Sequence, residues 1–446
     1  MFDETQLYGR ELLKEEIQGD FSLEKICSKP GFKRDKSHSI CMRCQTTCTL
    51  KTRYPCTCQS QCFYCRECLP LGKMRECSTL YYLPEPNLFE PLPYPCLRWN
   101  GTLSPQQEQA SLEIKEAMRK DEERIVWAVA GAGKTEMLFD GMGEALERGK
   151  RVCVASPRVD VCLELAPRFQ AVFPDVSLAL LYGEAEESYS YTQLVIATTH
   201  QLYRFKEAFD VLIIDEIDAF PYYMNEALNF AANKAKKKKA ATILLTATPD
   251  KKMRGRIKKG KIAASILPAR YHKHALPVPK GQYCSHSLLD KRWSHKHPVI
   301  KHIQRKIKEK KRFLIFIPTI TLMEKIDPLF KELFHNSYFE SVHSQDTERK
   351  EKVMKMRRGE LDFLMTTTIL ERGVTFPNID VIVIDADHKV YTEAALVQIA
   401  GRVGRTVDYP SGEVIYYHQG WTRAIKGAVK QIKQMNHLAK KRGYIG

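Results

Sequence analysis

A chain of 446 residues with 43% hydrophobic and 28% charged side chains is too long for one ordinary core, so two or three globular domains are expected. No stretch approaches the ~20 consecutive apolar residues that span a bilayer, and the acidic, polar N-terminus lacks the parts of a signal peptide, which points to a cytoplasmic protein. The formal net charge of +17 asks for a polyanionic partner: nucleic acid first, an acidic lipid surface second.

In chain order, Leu7, Leu12, Leu13 and Ile17 have the spacing of a short amphipathic helix. Of fourteen cysteines, ten fall between Cys27 and Cys77, and in a reducing compartment such crowding reads as metal binding rather than disulfides. Cys41-Met-Arg-Cys44 and Cys65-Arg-Glu-Cys68 each leave a two-residue gap, and twenty residues separate the pairs, the spacing of a four-thiolate zinc ribbon. Zn2+ held this way has no open position for water, so its role is structural: it folds a segment too polar to build its own core. Cys48, Cys56, Cys58 and Cys62 are left over. They can replace a member of the quartet, with Cys62 and Cys65 as the rival pair, or serve a second ion. Arg43, Lys51, Arg53, Arg66, Lys73 and Arg75, interleaved with Tyr54, Phe63 and Tyr64, offer charge and stacking surface to a single strand, or the aromatic rings pack the small zinc core. The proline-rich run from Leu83 to Pro95 is an extended connector that closes an N-terminal region of residues 1–95, its zinc segment lying at about 38–78.

From Leu103 on, short β-branched apolar runs alternate with helical patterns: Ile125 to Ala130, Arg151 to Ala155, Leu194 to Thr198, Val211 to Ile214 and Thr242 to Thr246. After a Lys-, Pro- and Gly-rich stretch suited to a hinge, they resume at Phe313 to Pro318, Leu361 to Thr366, Val381 to Ile384 and Glu413 to Tyr417. The fold class is therefore α/β with two parallel-sheet lobes, at 96–280 and 281–446. The first run leads into Ala128-Val-Ala-Gly131-Ala132-Gly133-Lys134-Thr135, a phosphate loop. Its glycines let backbone N–H groups close around ATP phosphates, while Lys134 reaches the β/γ-phosphates and Thr135 the Mg2+. Val211-Leu-Ile-Ile-Asp215-Glu216-Ile-Asp218 is a strand ending in carboxylates, with Asp215 placed for Mg2+ and Glu216 for the attacking water. Near the other end, Gln398-Ile-Ala-Gly401-Arg402-Val-Gly404-Arg405 carries paired arginines suited to charge on a transferring γ-phosphoryl group. If loop and arginines face one nucleotide from separate lobes, ATP turnover opens and closes a cleft.

These residues resemble helicase superfamily two. In that resemblance the lobes are RecA-like, Gln107 of Leu103-Ser-Pro-Gln-Gln107 reads adenine, and Thr246-Ala-Thr248 links hydrolysis to nucleic-acid binding. Gln398 then watches the nucleotide, and Arg402 and Arg405 reach the γ-phosphate. Arg158, Thr198, Thr199, His200, His343, Thr366 and Thr367 fall where the superfamily grips a strand through its backbone. Three departures stand out: Ala128 replaces the usual first glycine of the loop, Thr375 a common aspartate, and Ser344 a glycine.

More narrowly, the segments from Ile125 to Phe139, Ala155 to Arg168, Asp215 to Pro221 and Thr366 to Thr375 look like the ComFA family, whose motor follows a four-cysteine zinc segment. That resemblance implies an ATP hydrolase at the inner face of the cell membrane, translocating incoming single-stranded DNA in natural competence. It also implies a ComFC-like phosphoribosyltransferase-related partner, a ComEC-like membrane channel and a possible homo-oligomer. A duplex-unwinding repair or replication-restart helicase and a zinc-bearing DNA-binding scaffold with ATP as a switch are the alternatives.

Overall fold

The computed structural model describes residues 3–19, 25–35, 38–49, 52–183, 189–284 and 296–446; Lys51, counted above among the cations, lies outside them. Compactness divides the chain into one unit of residues 1–126 with 134–265 and another of 127–133 with 266–446.

In the first unit a seven-stranded sheet runs in the order Leu178–Leu181, Leu194–Thr198, Val152–Ser156, Phe209–Ile214, Lys236–Thr246, Glu123–Ala128, Ala263–Leu267. The first five of these pair in parallel. Leu194–Thr198 and Val152–Ser156 are buried along their whole length, as continuous apolar runs covered on both faces must be. Every run expected from the sequence is a strand here, and Leu178–Leu181 and Ala263–Leu267 are added at the two edges. Lys251–Lys258 is a helix capped by Asp250, whose side chain accepts from Met253 N.

The N-terminal region joins this unit's core. Cys41, Cys44, Phe63, Cys65, Cys68, Leu71 and Met74 belong to one buried cluster with Leu202, Tyr203, Phe205 and Phe209. Glu16 ties the two together, accepting from buried Arg43 at 2.9 Å and from Arg204 at 2.8 Å. The connector is extended, as its prolines require, yet it lies on the lobe: Glu85 receives Arg151 and Tyr191, and Phe89 stacks on Tyr191 at 4.9 Å. The expected amphipathic helix over Leu7 to Ile17 does not form. Gly9, at φ +63°, breaks it into 3-10 turns at Glu4–Leu7 and Lys14–Glu16 around a strand, Glu11–Leu12, that pairs with Thr79–Tyr82. Its apolar residues are nonetheless buried, in a cluster of Leu7, Leu12 and Ile17.

The second unit holds a wholly parallel six-stranded sheet in the order Lys280–Tyr283, Val414–His418, Ile379–Val383, Arg312–Phe316, Phe363–Thr366, Phe339–Val342. Phe363 lies in a stack between Phe313 and Phe339, with ring centroids 5.0 and 4.6 Å away. The helix Glu393–Ala400, capped by Thr392, delivers the arginine segment.

Candidate nucleotide and metal sites

The phosphate loop leaves the strand Glu123–Ala128 with Gly131 at φ +82° and Gly133 at +72°, conformations that favour glycine, while Ala128 stays out of that region. After Lys134 the chain turns through a 3-10 segment, Glu136–Leu138, into the helix Phe139–Glu147. Within the first unit, Lys134 Nζ donates to Asp215 Oδ1 at 2.9 Å, although the residues are 81 positions apart. Asp215 Oδ1 also accepts from Glu216 N at 2.8 Å, and Glu216 holds a left-handed φ of +55°. Such backbone strain clusters at functional sites, where surrounding structure enforces it. Burial pushes the Lys134 ammonium toward the neutral amine, but Asp215 and then Glu216 outweigh it and raise its pKa above the ordinary lysine value. Arg168 donates to Thr135 Oγ1 at 3.4 Å and pairs with Glu136, fixing the start of the helical turn. A hydroxyl and a carboxylate, Thr135 and Asp215, are hard oxygen donors that suit Mg2+.

Asp218, the last carboxylate of the run, has a different task. It accepts from Thr246 Oγ1 at 2.8 Å and from Thr248 Oγ1, which ties the strand-end carboxylates to the Thr-Ala-Thr segment. The resemblance implies a linking role for the two threonines, and Asp218 is the partner that their motif does not name. A carboxylate three residues beyond Asp215 was the available signal.

In the second unit Arg402 is fully buried, with Nε donating to Glu371 O at 3.0 Å and a terminal nitrogen to Val374 O. Arg405 is half-buried; it donates through Nε to Gly401 O at 3.0 Å and through a terminal nitrogen to Thr375 Oγ1 at 3.5 Å. Gln398 is buried on the preceding helix. Arg270 is the residue the motifs do not single out. Fully buried, it donates to Ala130 O of the phosphate loop at 3.2 Å, to Gly401 O at 3.1 Å, to Val403 O at 2.7 Å and to Gly404 O. A Cβ on Gly401 would lie 2.7 Å from the Ala130 Cβ, so glycine is required for this approach. Burial, with Arg405 adding, brings the Arg270 pKa down to about 9.

Gln107 is buried, and its side-chain oxygen accepts from Ser104 N at 2.9 Å and Ser104 Oγ at 2.8 Å, closing a capping box on the helix Pro105–Arg119. Of the residues expected by resemblance to grip a strand, Thr198, Thr199, Thr366 and Thr367 are buried at strand ends, and the Thr366 hydroxyl donates to Thr367 O at 3.1 Å. Arg158, His200 and His343 keep partial exposure. Part of the basic charge is structural: Lys234 pairs with buried Glu11 at 3.0 Å, and Lys306 with Asp380 at 2.6 Å and Glu413 at 2.7 Å.

The Sγ atoms of Cys41, Cys44, Cys65 and Cys68 all lie within 4.8 Å of one another, and all four residues are buried. Cys44 and Cys65 are 3.5 Å apart and Cys41 and Cys68 3.8 Å, close to the ~3.8 Å edge of a tetrahedron with Zn–S bonds near 2.3 Å. The donor set suits zinc. Cys62 does not join it, and among the described residues Cys48 belongs to no such quartet.

Three family models match: the N-terminal domain of competence protein ComFA over residues 2–82, the res subunit of type III restriction enzymes over 100–251, and the helicase conserved C-terminal domain over 295–407. Competence protein ComFA of Bacillus subtilis (strain 168) is 44% identical over 379 residues, 85% of this chain and 81% of that protein. The chain belongs to the ComFA family. ComFA of Streptococcus pneumoniae (strain ATCC BAA-255 / R6) is 40% identical over 432 residues, 96% of each chain. The fold is also that of RecG in its structure bound to a three-way DNA junction, at a TM-score of 0.54 and 17% identity over 77% of this chain and 47% of that one. The chain carries helicase-type domains, and it is a DNA-dependent ATPase of helicase type acting in competence. Such an enzyme uses ATP and Mg2+. Among the described residues no helix is long and apolar enough to cross a membrane.

Proposed function

We propose that the chain is an ATP-driven single-stranded DNA translocase that powers the uptake of transforming DNA. One observation carries the reading: in a member of the ComFA family, the phosphate-loop lysine and the strand-end carboxylate meet at 2.9 Å, which supports a single ATP site built on both. Gly131, Ala132, Gly133 and Lys134 bind the triphosphate through backbone N–H groups and one ammonium. Thr135 and Asp215 hold Mg2+, which neutralises phosphate charge when bound. Glu216 orients the attacking water, and Arg405 meets the charge that develops on the γ-phosphoryl group. Arg402, braced inside the second unit, fixes the loop at Glu371 to Val374 and thereby the arginine segment. Gln107 and Gln398 line the nucleotide side.

Asp218, Thr246 and Thr248 then pass the state of the phosphates to the strand-gripping positions Arg158, Thr198, Thr199, His200, His343, Thr366 and Thr367. Main-chain groups and partly exposed side chains at strand ends hold a DNA backbone without reading bases, which a motor on arbitrary sequence needs. The charge of +17 supplies the electrostatic part of that grip, and binding weakens steeply with salt. Cys41, Cys44, Cys65 and Cys68 hold a structural zinc that secures the N-terminal region to the first lobe. Family membership supports a place at the inner membrane face, with a ComFC-like protein and a ComEC-like channel as partners.

ATP turnover titrated with single-stranded DNA, duplex DNA and RNA tests the reading. Stimulation by single strands, together with movement along them, is expected. Robust unwinding of long blunt duplexes would favour the repair-helicase alternative instead.

A further inference from the structure

Of the ten cysteines outside the ribbon quartet, four come together elsewhere. Cys56, Cys58, Cys62 and Cys77 place their Sγ atoms all within 4.8 Å of one another. Cys56 and Cys77 are 3.6 Å apart, and Cys58 and Cys62 3.5 Å. These separations are far from the ~2.05 Å of a disulfide and close to the ~3.8 Å edge of a tetrahedral four-thiolate site. We propose that Cys56, Cys58, Cys62 and Cys77 form a second metal site, which takes one Zn2+-class ion and is separate from the ribbon site.

The backbone is arranged for it. Tyr54–Pro55 and Gln61–Cys62 pair as a two-stranded antiparallel hairpin, with Tyr54 opposite Cys62. Its tip is turned by Gln59 at φ +64°, with Cys56 N donating to Ser60 O and Gln59 N to Cys56 O, each at 3.0 Å. That turn carries three of the thiols. The fourth, Cys77, is brought from a separate turn, held by Glu76 N donating to Phe63 O at 3.0 Å and Ser78 N to Arg75 O at 2.9 Å. Ligands from two distant turns crossing to one point make a clasp.

A clasp has work to do here. Tyr54–Pro55 is exposed, and a hairpin of two residues a side has no core of its own and is marginal in water. A bound ion would fix the hairpin to the start of Thr79–Tyr82, the strand that carries Glu11–Leu12 and Cys27–Pro30 as neighbours. Four thiolates around a divalent ion leave a net negative charge, and the neighbourhood answers it. Glu76 is shared by Arg53 at 2.8 Å and Arg34 at 2.9 Å, two cations on one anion, and Arg53 also donates to Gln61 O at 2.7 Å. The two quartets differ in cover: the ribbon cysteines are all buried, whereas of this set only Cys62 is. The second ion therefore exchanges faster than the first.

The test is a metal count on the full chain, purified in reducing buffer with zinc supplied, by elemental analysis and native mass spectrometry. Wild type is expected to hold about two zinc ions per chain, released by a chelator in two phases. The double variant Cys56→Ser/Cys77→Ser is expected to hold about one, and to lose the fast phase. One ion in both proteins, with a single release phase, would overturn the proposal while leaving the ribbon site standing. A metal-free mass short by two hydrogen atoms, with a cross-link mapped between these cysteines after exposure to air oxygen, would overturn it in favour of a disulfide. Should the double variant fail to fold, the wild-type count decides alone: two ions support the site and one refutes it. ATP turnover does not enter the readout, so failure of the translocase reading leaves this test intact.

Discussion

Lys134 Nζ and Asp215 Oδ1, 2.9 Å apart, join the phosphate loop to the end of the strand Phe209–Ile214, which lies two places along the sheet from Glu123–Ala128 with Lys236–Thr246 between them. The pair has a direct consequence for a variant. Lys134→Ala removes the ammonium that meets the β/γ-phosphates and leaves Asp215 its hydrogen bond from Glu216 N. ATP turnover should fall by at least about a hundredfold, as losses of groups that stabilise transition-state charge do, while circular dichroism and the melting curve stay close to wild type.

Glu216→Gln should separate binding from chemistry. The amide keeps the shape but loses the negative charge that orients water, so a fluorescent ATP analogue should bind with little change while turnover drops by about a hundredfold or more. Equal loss of binding and turnover would place Glu216 outside the chemistry.

The two arginines of the last motif should fail differently. Arg402 is fully buried and satisfies the carbonyls of Glu371 and Val374, so Arg402→Ala should destabilise the protein by about 2–4 kcal/mol and lower the melting temperature. Arg405 is half-buried, so Arg405→Ala should leave melting nearly unchanged and reduce kcat. Melting curves beside steady-state kinetics check the contrast.

Asp218→Ala removes the acceptor shared by Thr246 and Thr248. Basal turnover should persist in part, while stimulation by single-stranded DNA should fall several-fold, because the link between carboxylates and strand-gripping segments is cut. Stimulation measured as the ratio of turnover with and without DNA is the readout.

The pattern of what the chain revealed beforehand follows from locality. Buried parallel strands announce themselves as continuous β-branched runs, and Gly131, Gly133 and Lys134 carry their chemistry at fixed short spacing, so both lobes and the phosphate loop were readable. The cysteine quartet was readable for the same reason: each knuckle is local. Cys77, whose companions lie fifteen or more positions earlier, carries no local mark of where it points. Arg270 is likewise a lone arginine three residues past the strand Ala263–Leu267, and only the folded chain puts it on Ala130 and Gly401. Apolar spacing at Leu7 to Ile17 misled because Gly9 breaks the helix while burial of the same side chains survives. Lys234 and Lys306 contribute to the +17 charge yet reach buried acids through their long side chains, which composition alone does not reveal.

Lys306 also sets a pH dependence. Burial pushes the Glu413 carboxyl up, but the hydrogen bond and charge of Lys306, then His302 and Arg305, outweigh it and hold the pKa at about 2, below the ordinary 4.5. A carboxylate with a depressed folded pKa contributes stability that is complete above its unfolded value and is lost as pH falls through the folded one. Melting temperature should therefore decline between pH values of about 4.5 and 2, and Glu413→Gln should flatten that part of the profile.

The most direct measurement is ATP hydrolysis by the wild-type chain and by Lys134→Ala, each titrated with single-stranded DNA while translocation is followed on the same strands. Turnover that rises with single-stranded DNA, accompanies movement, and disappears in Lys134→Ala is the expected result. Hydrolysis that ignores DNA, or that survives intact without the Lys134 ammonium, would contradict the account.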